Sequence, residues 1–295
     1  MSGRTAEPPA LTVLSLGAGV QSTTLALLAA EGTLPKPDAA IFADTGWEPA
    51  RVYRHLDRLE GELTGAGIPL YRVSNGNLRE HTLTSPSGRI RLPVFTATAA
   101  GGGAPAVREC TREHKIRPIT RKVRELIGYP GRARVPGDVW VEQWIGFSTD
   151  EIQRVSGKSD APYITSRYPL LDLDMSRRDC VRWLTARGWA DTPKSACIGC
   201  PFHGNRAWRE MRDQHPDEFA DAVEVDRAMR ARTVRVGLRG EPYLHRSLLP
   251  LDQAPIDHVT RTEWRDRQGD LLDELAEDGD PDGCSPYGCR SGQAA

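Results

Sequence analysis

The sequence predicts an α/β protein built on a parallel sheet, and three short apolar runs carry that prediction. The runs are Leu11 to Leu16, Ala39 to Ala43 and Leu70 to Val73, each of a length typical of a buried strand. Segments with helical periodicity separate them, which is the order expected of parallel strands joined by right-handed crossovers. Because such sheets bind ligands beyond the carboxyl ends of their strands, the residues that follow each run are the first candidates for a site.

The two crossovers between these runs have the pattern of amphipathic helices. Ser22 opens the first, and its apolar members are Leu25, Leu27, Leu28 and Ala29. The second has an apolar face made by Val52, Leu56, Leu59 and Leu63. This spacing predicts one helix after each of the first two strands.

Further elements are predicted in the second half of the chain. Apolar residues with helical spacing extend from Ile116 to Ile127, and Val139 to Phe147 reads as another strand. Helices are predicted from Ser176 to Arg187 and from Asn205 through about Arg232. The carboxyl-terminal part should therefore be mainly helical.

The composition divides the chain into four parts. We expect a flexible N terminus over residues 1–10, the main α/β domain over 11–203, a helical part over 204–272, and an acidic tail with Gly, Pro and Cys over 273–295. Within the second part, residues 74–107 are rich in Gly, Ser, Thr, Pro and Ala. That composition predicts a long mobile loop, which is either a lid or a disordered spacer.

The charge balance gives no global reason to bind nucleic acid. The 295 residues include 39 Lys or Arg and 40 Asp or Glu, for a net charge of −1, so an anionic partner must be met by a local basic patch. One such patch lies between Arg108 and Arg124 and another between Arg227 and Arg239. Each is either a phosphate-binding surface or a solvated helix face.

Membrane insertion is not predicted. Residues 1–10 lack a basic start followed by an apolar run, and no segment approaches 18 consecutive apolar residues. We therefore expect a cytoplasmic protein, in which the six cysteines favour metal binding or catalysis over disulfides.

Three cysteines form the candidate metal site. Cys197 and Cys200 are spaced to bind one metal or cluster, and Cys110 precedes a predicted helix far earlier in the chain. Zinc bound by these cysteines with His114 or His203 is the inorganic alternative to an iron–sulfur cluster, and binding no metal is the third reading.

Different roles are expected for the remaining cysteines. Cys180 has helical spacing with Trp183 and Leu184, which predicts a core position. Cys284 and Cys289 lie in the tail, where a redox or resolving role competes with no role at all.

A glycine-rich turn connects the first predicted strand to its helix. The segment runs from Ser15 to Ser22 with the sequence SLGAGVQS, and its backbone N–H groups can face a pyrophosphate at the helix N-terminus. A tight turn without a ligand is the structural alternative. The segment is not a Walker loop, because no Gly-Lys-Ser/Thr follows.

With Asp44-Thr45-Gly46 at the next strand end, this loop resembles that of the PP-loop ATP pyrophosphatases, and in particular their phosphoadenosine phosphosulfate reductase-like branch. The resemblance covers residues 11–203 apart from the predicted loop. Its later signatures are Ile145 to Arg154, Tyr168-Pro169-Leu170 and Pro193 to Phe202. It implies the PP-loop, or adenine nucleotide alpha hydrolase-like, fold and ATP or a related adenine nucleotide as ligand.

The resemblance also assigns roles to residues of this chain. Phosphate is expected among Ser15, Gly17, Ala18, Gly19, Gln21 and Ser22, and adenosine beside Asp44, Thr45 and Gly46. Asp150 and Glu151 are candidate catalytic residues for Mg²⁺ or proton handling, with a solvated helix-start pair as the alternative. The usual family loop is Ser-Gly-Gly-x-Asp-Ser, whereas Leu16 here replaces a glycine and Gln21 stands where the acid is expected.

The resemblance further implies a 4Fe–4S cluster held by Cys110, Cys197 and Cys200, and Cys284 is a candidate for a fourth ligand. Cys289 could close the site instead, or one iron could stay open to bind sulfur. Reductases with such a cluster typically have adjacent paired cysteines at the first position, where this chain has only Cys110.

Three functions follow from these expectations. The first is an ATP-dependent enzyme that adenylates an acceptor, such as a nucleic acid, for sulfur transfer from a sulfur donor. The second is a reductase linked to a thioredoxin-like partner, in which Cys289 or Cys284 attacks a sulfonucleotide. The third is a non-catalytic nucleotide sensor or subunit, suggested by Gln21.

Overall fold

Five parallel strands form the central sheet of the computed structural model. The structure describes residues 8–85, 88, 90–97, 103–105, 109–155, 159, 161–232, 240–261 and 263–264. The strands of the sheet are β1 (Leu11–Leu16), β2 (Ala39–Asp44), β3 (Leu70–Ser74), β6 (Val141–Ile145) and β7 (Ile164–Arg167). Their order is β3-β2-β1-β6-β7. The predicted α/β class with a parallel sheet is confirmed, whereas β7 was not predicted.

Helices cover both faces of the sheet. The α-helices are α1 (Val20–Ala30), α2 (Ala50–Gly65), α3 (Leu78–Thr84), α4 (Arg117–Leu126), α5 (Pro169–Asp172), α6 (Arg177–Thr185), α7 (Asn205–Gln214) and α8 (Pro216–Ala231). A π-helix (Thr111–Ile116) leads into α4, and 3₁₀-helices cover Thr149–Arg154 and Leu251–Gln253.

The helical stretch predicted from Asn205 to about Arg232 consists of two helices. The chain breaks at His215, whose φ of −135° and ψ of 59° are not helical. Pro216 then begins α8, because a proline at the first helical position needs no hydrogen-bond acceptor for its nitrogen.

Alternate residues of the strands fill the two layers of the core. Leu14, Leu16 and Phe42 pack in one cluster with α1, α2 and α6. Val13 and Ile41 pack in another with Ile119 and Val123 of α4. Because side chains alternate between the faces of a strand, both layers depend on the same short runs.

A third apolar cluster attaches the carboxyl-terminal helices to the sheet. Trp208 of α7 and Val225 of α8 are fully buried in it, together with Trp47, Cys110 and Cys197. Trp47 follows the turn after β2, so the cluster lies against the carboxyl edge of the sheet. The helical part therefore covers the edge at which ligands of such folds bind.

The segment predicted as a mobile loop, 74–107, contains regular structure where it is described. It includes α3 and two antiparallel strands, β4 (Phe95–Ala97) and β5 (Gly103–Pro105). Phe95 also exchanges backbone hydrogen bonds of 2.8 and 3.0 Å with Tyr243. These elements were not predicted from the sequence. Buried Leu92 and Val94 pack in the third cluster, and the mobility of the segment stays a prediction.

Two predicted terminal segments lie wholly or mostly outside the described residues. These are the tail 273–295 with Cys284 and Cys289, and the flexible N terminus, of which only residues 8–10 are described. None of the helices in the described part of the chain is both long and apolar enough to cross a membrane.

Candidate functional site

The glycine-rich turn lies at the carboxyl end of the central strand. β1 ends at Leu16 and α1 begins at Val20, with Gly19 as its N-cap. Ser22 Oγ lies 3.2 Å from both the nitrogen and the carbonyl oxygen of Gly19. This contact fixes the first turn of α1, whose remaining N–H groups point out of the helix.

Two distant segments enclose this turn. Ser195 Oγ donates a hydrogen bond to the Gly17 carbonyl, and a Cβ on Gly19 would lie 3.0 Å from Ser195 Cβ. On the other side, a Cβ on Gly146 would lie 3.1 Å from the Ser22 nitrogen. Gly19 and Gly146 are therefore required for close packing.

The turn opens into a small cavity with two basic side chains in its wall. Its lining includes the predicted phosphate-loop residues together with Arg177 and Lys194, as a set Ser15, Gly17, Gly19, Val20, Gln21, Ser22, Gly146, Glu151, Arg177, Lys194 and Ser195. A helix N-terminus flanked by two cations favours an anion. Ala18, also predicted, is fully buried and does not line the cavity.

Gln21 connects the loop to groups on either side. Arg177 donates to Gln21 Oε1 at 2.9 Å, and Gln21 Nε2 donates to Glu151 Oε2 at 3.2 Å. The amide uses its acceptor and its donor at once, which fixes its orientation. Gln21 thereby holds the Arg177 guanidinium beside the glycine-rich turn.

The two adjacent acidic residues have different environments. Glu151 is 5% exposed and accepts a hydrogen bond of 2.5 Å from buried Arg154. Burial raises the pKa of Glu151, and the charges of Arg154 and Arg177 partly oppose that rise. Asp150 is exposed and accepts from the Arg177 backbone nitrogen at 2.6 Å, so it stabilises the start of α6.

The turn after β2 is organised by Asp44. Its Oδ1 accepts from Gly46 N at 2.7 Å and from the Tyr53 hydroxyl at 2.9 Å. Burial and the Asp44 carboxylate together raise the pKa of Tyr53. Gly46 has a φ of 68°, which favours glycine. This turn and the phosphate loop follow neighbouring strands, as predicted, and the adenosine role of the turn stays a prediction.

The Cys197–Cys200 segment packs against that turn. Cys197 Sγ lies 3.3 Å from Thr45 Oγ1 and 3.4 Å from Glu48 Oε1. Ile198 N donates to the Trp47 carbonyl at 2.9 Å, and a Cβ on Gly199 would lie 2.0 Å from the Trp47 ring. The Cys-x-x-Cys segment therefore reaches the carboxyl edge of the sheet through tight contacts.

The four described cysteines are buried, reduced thiols. Cys110 and Cys197 share the third apolar cluster, whereas Cys200 packs with Ala196 and Phe202. Cys180 is fully buried between α1 and α6, which confirms its predicted core position.

The described residues do not by themselves fit a metal centre. No group of three or more His, Cys, Asp or Glu side chains among them is placed to hold a metal ion. Of the alternative zinc ligands, His203 Nε2 lies 2.9 Å from the Cys197 carbonyl oxygen, and His114 Nε2 lies 3.3 Å from His81 Nδ1. The cluster and zinc assignments both stay predictions, with Cys284 outside the described part of the chain.

Three polar side chains of the cavity wall were not predicted from the sequence as site residues. Lys194 and Ser195 stand just before Cys197 in a quoted motif, so their position could have been suspected. Arg177 follows the N-cap Ser176 of α6 and has no motif of its own. Only the tertiary contact with Gln21 reveals it.

Comparisons with known proteins give little further information. No protein-family model matches the chain, and no curated protein matches it. One solved structure that it is similar to is the U34-tRNA thiolase NcsA from Methanococcus maripaludis with its 4Fe–4S cluster, at 13% identity and a TM-score of 0.39, covering 81% of this chain and 79% of that one. A match this remote carries no argument about family or function.

Proposed function

We propose that this protein is a PP-loop-type enzyme that binds ATP and adenylates an acceptor. The observation that carries the proposal is the cavity at the carboxyl end of β1, where the N-terminus of α1, Arg177 and Lys194 meet. Three positive groups around a glycine-rich turn suit a polyphosphate. The resemblance of the loop and of Asp44-Thr45-Gly46 to PP-loop enzymes supports an adenine nucleotide.

Room for an acceptor lies next to this cavity. A second cavity shares Val20, Arg177 and Lys194 with the first. Its further lining combines apolar with polar side chains, among them Arg51, Val181, Leu184, Thr192, His203 and Glu210. An acceptor bound there would lie beside the phosphates of a nucleotide in the first cavity.

The proposed step is attack by an acceptor oxygen or nitrogen on the α-phosphorus. A bond forms between the acceptor atom and the α-phosphorus. The bond from the α-phosphorus to the oxygen that bridges it to the β-phosphorus breaks, and pyrophosphate leaves. The acceptor proton passes to solvent or to a base. Arg177 and Lys194 would stabilise the charge that develops on the departing pyrophosphate.

We further propose that sulfur at the sulfide oxidation level, supplied by a sulfur donor, then attacks the carbon of an acceptor adenylated on oxygen. A carbon–sulfur bond forms, the bond from that carbon to the adenylated oxygen breaks, and AMP leaves with this oxygen. The buried Cys197 thiol supports this step by its position, since it contacts Thr45 in the turn after β2. The sulfur donor, or a thioredoxin-like reductant, is an expected partner. Both the 4Fe–4S cluster and the Mg²⁺ that the resemblance implies stay predictions.

Nucleotide binding tests the proposal at its first step. We expect Arg177→Gln to weaken ATP binding by about tenfold, since a charged hydrogen bond contributes roughly 1.5–3 kcal/mol. Arg182→Gln is the matched control, because Arg182 lies on the same helix with a side chain 55% exposed. Isothermal titration calorimetry measures both, and equal affinities in the two variants would remove Arg177 from the site.

Product analysis separates the three functions. The protein is incubated with ATP, with a sulfonucleotide, or with neither, and pyrophosphate and sulfite are measured. Pyrophosphate formed from ATP supports adenylation, and sulfite would identify the reductase instead. ATP binding without either product would identify a sensor, the alternative that Gln21 in the phosphate loop suggests.

A further inference from the structure

A groove lined by arginines runs along the π-helix and α4. Its lining consists of Asn75, Arg112, Ile116, Arg117, Thr120, Arg121, Arg124 and Gly131. Four of these eight residues are arginines, and none of the described residues that line the groove is acidic. A protein with a net charge of −1 thus concentrates positive charge on one surface.

Contacts with the protein hold three of these arginines in place. Arg121 donates to the Ser74 carbonyl at 2.8 Å, and Arg124 donates to the Ala133 carbonyl. Arg117 pairs with Glu113, yet 62% of its side chain is exposed. Arg112 is exposed. Since each guanidinium has five N–H donors, one contact positions the group and leaves donors for a ligand.

The extent of the groove distinguishes among anionic ligands. Arg112 and Arg124 are twelve positions apart, which corresponds to about 18 Å along a helix axis. A single phosphate or a free nucleotide would reach only part of that length. A phosphodiester chain presents charges at regular intervals over the whole of it, and the absence of aromatic side chains from the described lining suits backbone contacts rather than base stacking.

The groove also opens at the edge of the sheet where the nucleotide cavity lies. Asn75 directly follows Ser74, the last residue of β3, and parallel strands end on one side. β3 and β1 are separated by β2, a distance of about 10 Å at the usual strand spacing. The end of the groove at Asn75 therefore lies at the same edge of the sheet as the glycine-rich turn after β1.

The π-helix connects the groove to the cysteine region. Its residues Arg112 and Ile116 line the groove, while Cys110, its N-cap, is buried in the third apolar cluster. A π-helical turn changes which side chains share a face, and such turns are frequent at functional sites. One element thus presents arginines outward and a thiol inward.

We propose that this groove binds the phosphodiester backbone of a nucleic acid, which presents the acceptor to the nucleotide cavity. The acceptor role rests on the proposed function, whereas the binding does not. The lining predicts little sequence preference, because its arginines would contact phosphates. RNA and DNA share this chemistry, and the experiment distinguishes them.

Fluorescence anisotropy tests the proposal with fluorescein-labelled 20-nucleotide probes. The probes are single-stranded RNA, single-stranded DNA of the same sequence, and duplex DNA, each titrated between 50 and 200 mM KCl. We expect Arg112→Gln/Arg121→Gln to weaken binding of the preferred probe about tenfold or more. For a single strand, the slope of log affinity against log salt should fall by about 1.4, or about 0.7 for each lost phosphate contact.

The control variant removes the same charge elsewhere. Arg182→Gln/Arg227→Gln changes two side chains that are 55% and 69% exposed, and it should keep both the affinity and the salt slope. Arg227 also belongs to the second basic patch, so a loss confined to this control would assign binding there and overturn the groove. Arg112→Gln alone gives the same test at an exposed arginine.

Three other results would overturn the proposal. They are no binding of any probe by the wild type at 50 mM KCl, equal loss in the groove and control variants, and displacement of the probe by polyglutamate as readily as by unlabelled RNA or DNA. ATP calorimetry on the groove variant is the separating measurement. Intact ATP binding with lost probe binding supports the groove, and the reverse would challenge only the nucleotide site.

Discussion

Gln21 Nε2 donates to Glu151 Oε2 across 3.2 Å, although the two residues are 130 positions apart. The resemblance places an acid at position 21, and this chain has an amide there. A carboxylate nonetheless lies beside the phosphate loop, supplied by the segment after β6. Because Arg154 pairs with it, Glu151 is better placed to orient Gln21 and Arg177 than to bind a cation.

Gly19→Val should abolish binding of adenine nucleotides. Gly19 has an extended backbone, with φ −111° and ψ −179°, so unusual backbone angles are not the reason. The reason is space, since a Cβ would lie 3.0 Å from Ser195 Cβ and a branched side chain would also enter the phosphate cavity. Calorimetry with ATP measures the loss, and unchanged affinity in a folded variant would remove the phosphate-loop assignment.

Gly199→Ala should lower the free energy of unfolding by about 1–3 kcal/mol or more, the usual cost of overpacking. The added Cβ would lie 2.0 Å from the Trp47 ring, so the Cys197–Cys200 segment must move. Gly137→Ala is the matched control, because Gly137 lies outside the helices and a Cβ there has no atom within 4 Å. Urea unfolding measures both variants, and equal stabilities would show that Trp47 yields without cost.

Acid should destabilise the protein below pH 6.5, in part through His55. Burial lowers the pKa of His55 from 6.5 to about 4. Between these pH values, the His55 imidazole therefore binds a proton in the unfolded chain but not in the folded protein. The contribution of His55 to the free energy of unfolding is therefore fully present above pH 6.5 and is lost as the pH falls towards 4. The loss is about 3 kcal/mol for this one group.

Urea unfolding at pH 4.5 to 8 of the wild type and His55→Gln measures that contribution. The variant keeps a polar partner for Thr23 Oγ1, which lies 2.9 Å from His55 Nε2, and its stability should vary less with pH. His258→Gln, at an exposed position, should leave the wild-type profile unchanged. A profile for His55→Gln as steep as that of the wild type would assign the acid sensitivity to other groups.

The iron–sulfur prediction is tested by replacing each cysteine with alanine in anaerobically purified protein. Changes at Cys110, Cys197 or Cys200 should each abolish a broad absorbance near about 400 nm, the region expected for cysteine-ligated iron. Cys180→Ala should spare it, because burial in the core raises the pKa of Cys180 to about 12. Stoichiometric zinc without iron or labile sulfide would contradict the cluster.

Cys284→Ala and Cys289→Ala identify the role of the tail. Loss of the absorbance in one of them would assign the fourth ligand to that cysteine. Retained absorbance with lost turnover would instead favour a redox function for the tail.

Local patterns predicted most of the strands and helices. The apolar runs at Leu11 and Ala39 became β1 and β2, because period and length suffice to identify a buried strand. β7 was missed because Ile164–Arg167 has only one buried residue among four. The regular structure within residues 74–107 was missed for a similar reason. The segment has only a few apolar residues among its Gly, Ser, Thr, Pro and Ala, and these few pack in the third cluster.

The sequence by itself determined the α/β class, the position of the glycine-rich turn after the first strand, and the candidate metal-binding cysteines. These features depend on residues close together in the sequence, so hydrophobic periodicity and the spacing of the glycines predict them directly. The tertiary structure alone decided that Arg177, Lys194 and Ser195 close the cavity, that Trp47 packs on Gly199, and that four arginines share one groove. Such contacts join segments far apart in the chain, and their geometry depends on strand order and helix packing, which a single sequence does not encode locally.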